Sequence, residues 1–254
     1  FIARESRPKP KPVSGFDMTF TPVKSVSVLW GLADRGVAER VEQAHRLAVE
    51  RALSWFESNA LFTRRGARGR RQVEVAGAIA AAFQHRDSRD GDPNLHTHVV
   101  IANRVQALED GRWLTVDGAA LFKAMVCISE RYNSELETNL NALLGITFEE
   151  RARVDGKRPT REVVGVREDV LRLMSSRRRA IDVRREELTI AFQSRHGRPP
   201  TKVDAIAVAQ QATLETRAAK HSPLTLAEQR VMWRARVGEA IGGDEAIARM
   251  LQNV

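Results

Sequence analysis

The chain has 254 residues, of which 43% are hydrophobic and 29% charged, a composition typical of a globular protein with a sizeable core. No apolar run approaches the ~20 residues of a membrane span, and we expect no secretory leader. A single cysteine excludes an internal disulfide, and the net charge of +9 indicates a polyanionic partner. These features predict a cytoplasmic protein without membrane contact. We expect the cysteine, Cys127, to be a small core residue on a helix.

The first predicted strand covers residues 15–21 and follows a basic, proline-rich lead. Side chains alternate between the two faces of a strand, so Phe16, Met18 and Phe20 share one face. Asp17 lies on the other face with two threonines. We expect the apolar face to pack under helices and the lone carboxylate of Asp17 to face a functional site.

A helix is predicted to start at Thr21-Pro22, with the threonine as its N-cap and the proline in the first position. Lys24 and Ser25 then lie in the first turn. Free backbone N–H groups beside an ammonium group favour a phosphate at such a helix end. The alternative is that Lys24 is an ordinary solvated lysine.

A second helix is predicted over residues 37–57, with His45 at its surface or boundary. Two readings are open for the arginine-rich segment that follows: a mobile solvated loop, or a flexible arm that neutralises DNA phosphates. Its five arginines are Arg64, Arg65, Arg68, Arg70 and Arg71.

Three of the six histidines lie close together in the sequence. Turn-forming residues at positions 86–94 separate two apolar runs, which predicts two antiparallel strands joined by a loop. His96 and His98 then share a face, and His85 comes opposite them when the hairpin folds back. Three imidazoles with an open coordination position describe a catalytic metal site, whereas the alternative is a set of half-buried histidines. Arg89, in the loop, is assigned to DNA binding.

The remainder of the chain is predicted to contain a turn at Asp110-Gly111, a helix over residues 119–144 that carries Tyr132, and a hairpin around Asp155-Gly156. Only helices follow from residue 167. The predicted fold class is α+β, an antiparallel sheet packed with helices. We expect two domains, residues 1–166 and residues 167–254.

Two segments carry a family resemblance: GFDMTFTPVKSVSVLW, which contains Asp17, and HRDSRDGDPNLHTHVVIAN, which contains the three histidines. They resemble conjugative relaxases of the TrwC/TraI (MobF) family, in the HUH endonuclease superfamily. The resemblance implies a palm related to ferredoxin-like folds, followed by helical fingers that embrace DNA. It also implies nicking and strand transfer of single-stranded DNA at a plasmid origin of transfer.

The resemblance further assigns a catalytic role to Asp17 and one divalent metal ion (Mg, Mn or Zn) to His85, His96 and His98. Implied partners are the origin DNA, an upstream N-terminal segment, and a downstream helicase region or other transfer proteins. The sequence departs from the family at the nucleophile, a tyrosine upstream of the Asp17 strand, because the single tyrosine here is Tyr132. We therefore expect a truncated relaxase domain that is inactive alone.

Two other functions remain open. The chain could be a non-catalytic DNA-binding module whose metal only stabilises the fold. It could also be a hydrolytic metalloenzyme on another substrate, although zinc deaminases are excluded because their cysteine ligands are missing.

Overall fold

A computed structural model of the protein describes residues 12–152, 159–219, 222 and 224–254. These residues form nine strands and eight helices. In chain order they are β1 (Gly15–Phe20), α1 (Lys24–Leu32), α2 (Arg35–Asn59), β2 (Phe62–Arg65), β3 (Arg71–Glu74), β4 (Ala80–Asp87), β5 (Pro93–Ala102), β6 (Val105–Gln106), β7 (Trp113–Leu114), α3 (Gly118–Leu144), β8 (Phe148–Arg151), β9 (Thr160–Val163), α4 (Glu168–Leu173), α5 (Ser176–His196), α6 (Lys202–Glu215), α7 (Leu226–Ile241) and α8 (Asp244–Gln252).

The strands form one three-stranded sheet, in the order β1-β5-β4, and three two-stranded ribbons, β2-β3, β6-β7 and β8-β9. The predicted α+β class is confirmed, although the expected sheet is divided into several small ones. The predicted histidine hairpin is also confirmed, since β4 and β5 are hydrogen-bonded neighbours. The turn predicted at Asp155-Gly156, between β8 and β9, lies outside the described residues.

The chain divides into two compact units, neither of which is continuous in sequence. The first comprises the chain up to Phe20, Leu47–Gln84 and Thr97–Glu135; the second comprises Thr21–Arg46, His85–His96 and the chain from Leu136. This division differs from the predicted boundary after residue 166, which stays a prediction.

In the first unit, β1 packs its apolar face against α3. Met18 and Phe20 are buried as the alternation predicts, and the ring of Phe20 lies 5.3 Å from that of Tyr132. Phe16 meets Phe122 edge-on at 5.9 Å. Tyr132 lies within α3, as predicted for a mid-helix residue.

In the second unit, α1 is the most deeply buried helix, and every residue after Lys24 is inaccessible to solvent. Its Trp30 packs against Trp233 of α7, with ring centroids 5.7 Å apart. Gly31 permits this approach, because a Cβ there would stand 3.0 Å from the Trp233 ring. The two helices therefore share a close aromatic contact.

Several local predictions are wrong in instructive ways. Helix α1 is capped by Val23 rather than Thr21, because the carbonyl of extended Val23 accepts the first N–H groups of the helix. His45 is fully buried, not at the surface, because it shares a helix face with the buried residues Val41 and Val49, each four positions away. Cys127 is exposed because the buried stripe of α3 passes through its neighbour, Ile128.

The arginine-rich segment is a β-hairpin rather than the predicted mobile loop. Strands β2 and β3 pair antiparallel and are joined by a 3-10 turn at Ala67–Gly69. The sequence prediction also missed α8, which follows two glycines in left-handed conformations, Gly242 and Gly243. Within the described ranges, no helix is long and apolar enough to cross a membrane.

Candidate functional site

The first unit brings Asp17 and His98 together across neighbouring strands. In the register of β1 and β5, Thr19 stands opposite His98. Both carboxylate oxygens of Asp17 lie 2.9 Å from His98 Nδ1, and Thr19 Oγ1 lies 3.2 Å from the same nitrogen. Both ring and carboxylate remain partly open to solvent. A carboxylate on Nδ1 fixes the orientation of an imidazole and directs coordination to Nε2.

The second unit brings His85 and His96 together. Their rings stack with centroids 5.1 Å apart and planes 19° from parallel. His96 Nδ1 is 2.7 Å from the carbonyl oxygen of Asn94 and 3.1 Å from the Asn94 amide nitrogen. His96 Nδ1 can donate to the carbonyl oxygen or accept from the side-chain amide of Asn94, but it cannot do both. We assign a proton to Nδ1 because its contact with the carbonyl oxygen is the shorter one. His96 therefore also has its Nδ1 held by an oxygen.

The donor chemistry of these histidines fits a metal ion. Both His96 and His98 have an oxygen partner at Nδ1, the arrangement that accompanies metal-ligating histidines. The side chains as they stand do not form a complete cluster: among the described residues, no three His, Cys, Asp or Glu side chains form a group that could hold a metal ion.

His45 is a buried histidine that the sequence prediction placed at the surface. Its side chain is inaccessible to solvent, and burial lowers its pKa to about 4. The nearby imidazole of His96 and the guanidinium of Arg46 lower that pKa further. His45 is therefore neutral at physiological pH.

The N-terminus of α1 holds a carboxylate where the sequence predicted a phosphate. The backbone N–H of Ser25 donates to Glu162 Oε2 at 2.9 Å, and Ser25 Oγ accepts from the N–H of Val163 at 2.8 Å. Ser25 is fully buried. The structure thus gives Ser25 a role in joining α1 to β9, and its DNA contact stays a prediction.

Lys24 is half-buried beside the loop between β4 and β5. Its Nζ donates to the carbonyl of Pro93 at 2.7 Å. Burial lowers its pKa to about 8, although the carboxylate of Asp92 acts in the opposite direction. Lys24 is therefore not the fully solvated lysine of the alternative reading.

Three of the five hairpin arginines are engaged by carboxylates of the first unit. Arg64 Nε donates to the buried Asp117 at 2.7 Å, and Arg65 donates to Asp110 at 2.6 Å. Arg71 forms a bidentate ion pair with Glu109. These contacts hold the hairpin in place.

The other two arginines, Arg68 and Arg70, extend from the turn into solvent. Arg68 adopts a left-handed backbone conformation with φ of 60°. Neither has a carboxylate partner within the part of the chain that the structure describes. The positive charge of the hairpin is therefore concentrated at its tip.

The loop between β4 and β5 contains a buried acid that the sequence prediction missed. Asp92 is 1% exposed and pairs with Arg236 of α7. The Asp-Gly-Asp-Pro sequence indicates only a turn. The special role of Asp92 becomes visible only from its partner Arg236, which is distant in the sequence.

Arg89, which the sequence analysis assigned to DNA binding, donates weakly to the carbonyl of Ala218 at 3.4 Å.

Comparison with known proteins decides the family. A family model described as TrwC relaxase matches residues 3–240. The chain belongs to this family. The predicted relaxase resemblance is therefore confirmed over nearly the whole sequence.

Individual relatives of the relaxase domain agree with this assignment. The multifunctional conjugation protein TraI from Escherichia coli is 35% identical over 139 residues, which are 51% of this chain but 8% of TraI. The homologue from strain K12 is 32% identical over the same length. The chain thus spans less than a tenth of the curated relatives it matches.

Solved structures of the conjugative relaxase TrwC share the fold. A copper-bound complex of TrwC with oriT DNA has a TM-score of 0.73 and 27% identity, covering 94% of this chain and 75% of TrwC. A TrwC complex with a 27-mer DNA that comprises the recognition hairpin and the cleavage site has a TM-score of 0.69 at 27% identity. That match covers 91% of this chain and 75% of TrwC.

Proposed function

We propose that this chain is the DNA-nicking part of a conjugative relaxase, which cuts and transfers one DNA strand at a plasmid origin of transfer. The observation that carries the proposal is the contact between Asp17 and His98, which combines the two sequence motifs that carry the family resemblance. Family membership and the DNA complexes of TrwC support it. The curated relatives are much longer, and we propose that further regions and other transfer proteins complete the system.

We propose that His85, His96 and His98 hold one divalent metal ion. The stacked pair in the second unit and the oxygen-held Nδ1 atoms support this assignment. A copper-bound form of TrwC supports a divalent ion without choosing among Mg, Mn and Zn. When bound, such an ion supplies a positive charge that polarises a phosphate oxygen. Within this arrangement Asp17 orients the His98 ring, and the Asn94 carbonyl orients that of His96.

The attacking group is proposed to lie outside these 254 residues. Tyr132 is the single tyrosine, and it is 2% exposed within α3 with a pKa raised well above its usual value by burial. A buried, protonated phenol packed on Phe20 cannot reach a DNA phosphate. We therefore propose that the nucleophile is a tyrosine upstream of this chain, as the resemblance to the family implies.

The proposed chemistry is a transesterification. The phenolic oxygen of the upstream tyrosine forms a bond to phosphorus, and the bond from phosphorus to the 3′ oxygen breaks. The phenolic proton passes to a base, for which the solvent-facing Asp17 carboxylate is the candidate, and the 3′ oxygen takes a proton from water. The products are a 5′-phosphotyrosine and a free 3′-hydroxyl.

Basic side chains are proposed to bind the DNA backbone, as the net charge of +9 favours. Arg68 and Arg70 at the hairpin tip have the strongest support, because no described carboxylate engages them. The remaining proposed contacts are Lys24, Ser25, Arg64, Arg65, Arg71 and Arg89.

A labelled single-stranded oligonucleotide of the origin, analysed on a denaturing gel with Mg²⁺ or Mn²⁺, tests this function. The 254-residue chain should bind the oligonucleotide without cutting it, and a longer form that includes the upstream residues should cut it and remain attached to the 5′ side. Tyr132→Phe should change neither result. Binding without cleavage by the longer form would favour the non-catalytic DNA-binding module. An adduct that disappears in Tyr132→Phe would place the nucleophile in α3.

A further inference from the structure

The loop at residues 88–92 joins the strand of His85 to the strand of His96. It is organised internally by Ser88, whose N–H donates to the carbonyl of Asp92 at 2.9 Å. Ser88 Oγ accepts from the N–H groups of Asp90 and Asp92, at 3.3 and 3.2 Å. The loop is therefore a compact turn whose shape determines where the two strand ends stand.

Helix α7 makes three contacts here, one with the last residue of β4 and two with the loop. Gln229 Nε2 donates to Asp87 Oδ2 at 2.8 Å. Trp233 Nε1 donates to the carbonyl of Gly91 at 2.7 Å. Arg236 donates to the carboxylate of Asp92. These residues share one face of α7, because positions three and four apart lie side by side on a helix.

Asp92 is the central acceptor of this contact. Besides Arg236, it accepts from the backbone N–H of Ser176 at 2.7 Å and from the Ser176 hydroxyl at 3.1 Å. Arg236 also donates to the carbonyl of Leu173 at 3.1 Å. Since Asp92 is 1% exposed, moving the loop would leave a buried carboxylate without its donors, which is strongly unfavourable. The loop is therefore held in one position.

Helix α7 is itself fixed at its other contacts in the second unit. The ring of Trp233 lies on Trp30 and close to Gly31. The guanidinium of Arg230 donates to the carbonyls of Trp30 and Ala33 at the C-terminal end of α1. A helix anchored on a buried neighbour in this way can act as a rigid support.

We propose that α7 is a brace that positions His85 and His96, with Asp92, Trp233 and Arg236 as positioning residues. Trp233 and Arg236 contact the loop between the histidine strands, at a backbone carbonyl and a carboxylate, and Gln229 contacts Asp87 at the end of the His85 strand. The inference rests on the proposed function only in treating the two histidines as metal ligands. The placement of the loop itself is independent of that assumption.

The test compares Asp92→Asn, Arg236→Gln and Trp233→Phe with wild type and with the conservative variant Arg236→Lys. Arg249→Gln is the matched control, because it makes the same change of charge on α8, where Arg249 pairs with the exposed Glu245 and neither reaches the loop nor anchors α7. Two quantities are measured on the metal-free, folded proteins: the dissociation constant for Zn²⁺, by competition with a chromogenic chelator, and amide hydrogen exchange over residues 85–96.

Asp92→Asn and Arg236→Gln should each weaken Zn²⁺ binding by about tenfold, the lower end of the effect of groups that orient metal ligands. The loop amides should exchange about tenfold faster. Trp233→Phe should have a smaller effect of the same kind, Arg236→Lys should restore part of the loss, and Arg249→Gln should match wild type in both measurements.

The proposal is overturned if Asp92→Asn and Arg236→Gln change neither quantity more than Arg249→Gln does. A wild-type protein that does not bind Zn²⁺ would refute the proposed metal site. Hydrogen exchange alone would then test whether α7 holds the loop in position. If either variant fails to fold, Trp233→Phe and Arg236→Lys decide it, since the first keeps an aromatic ring but removes the donor to Gly91 and the second keeps the positive charge.

Discussion

The carboxylate of Asp17 and Nδ1 of His98 lie 2.9 Å apart, although 81 positions separate them in the sequence. The antiparallel register of β1 and β5 produces this contact, because it sets Thr19 directly opposite His98 and places Asp17 two residues along on the same face, as a diagonal neighbour of His98. The pair joins the two motifs on which the proposed activity depends. It also gives a direct test of the role of Asp17.

Replacing Asp17 with asparagine should weaken metal binding about 10- to 100-fold, because the amide holds the imidazole less firmly and removes a negative charge. Isothermal titration of the metal-free protein with Zn²⁺ measures the change. Thr19→Val, which removes only the 3.2 Å contact to the same nitrogen, is the control and should have a smaller effect. Equal affinities for wild type and Asp17→Asn would contradict the orienting role.

Of the salt dependence of DNA binding that is due to the arginine-rich segment, most should come from Arg68 and Arg70 at the hairpin tip. Replacing Arg68 and Arg70 together with alanine should reduce the slope of log affinity against log salt by about 1.4, or about 0.7 per phosphate on single-stranded DNA. The control removes two exposed arginines of α2, Arg35 and Arg40, and so matches the change in net charge. The same slope in both double variants would show that the tip has no special contact with DNA.

Arg64, in contrast, should matter for stability. Burial alone would raise the pKa of Asp117, but hydrogen bonds from Gln72 and Arg64 outweigh it and lower that pKa. Arg64→Ala should reduce the free energy of unfolding by about 2 kcal/mol, since a buried carboxylate loses a charged donor. Urea denaturation at pH 7 measures this change.

The matched control for Arg64 is Arg71→Ala, which breaks an exposed pair with Glu109 and should cost about 0.5 kcal/mol. Because the pKa of Asp117 is lowered in the folded protein, its contribution is present above the unfolded pKa and is lost as the pH falls through the folded one. The difference between wild type and Arg64→Ala should therefore shrink in acid. An unchanged difference at pH 3 would argue against this explanation.

Lys24 should make stability increase with pH in mildly alkaline solution. Its folded pKa is about 8, because burial disfavours the ammonium, whereas the unfolded lysine titrates near its usual value of 10.5. Between these values the unfolded chain binds one more proton, so the free energy of unfolding increases with pH. Lys24→Met should abolish this increase between pH 8 and 10, as measured by urea denaturation at each pH. If the stability of Lys24→Met increases with pH as much as that of wild type, the increase belongs to another titrating group.

The upper end of that pH range is limited by Tyr132. Burial raises the pKa of its phenol, so above about pH 10 the unfolded chain loses a proton that the folded chain retains. Stability should then fall with increasing pH. Tyr132→Phe should remove this fall and leave the increase due to Lys24, which separates the two titrations.

The sequence by itself determined the alternation of β1 and β5, the end of α3 and the family resemblance. Strict alternation in β1 and β5 separated Met18 and Leu95, which are buried, from Asp17 and His98, which face solvent. Gly145, with a φ of 71°, ends α3 where a residue without a Cβ was expected. These features depend on neighbours a few positions apart, which a periodic pattern records directly.

Only the tertiary structure decided which charged groups are engaged and which remain exposed. Nothing in the local pattern of the hairpin distinguishes Arg64 from Arg68, because the carboxylate that engages Arg64 belongs to Asp117, 53 positions away. The same holds for Asp92 and Arg236, which are 144 positions apart. Burial and ion pairing depend on the packing of distant segments, whereas sequence periodicity reports only the nearest turn or strand.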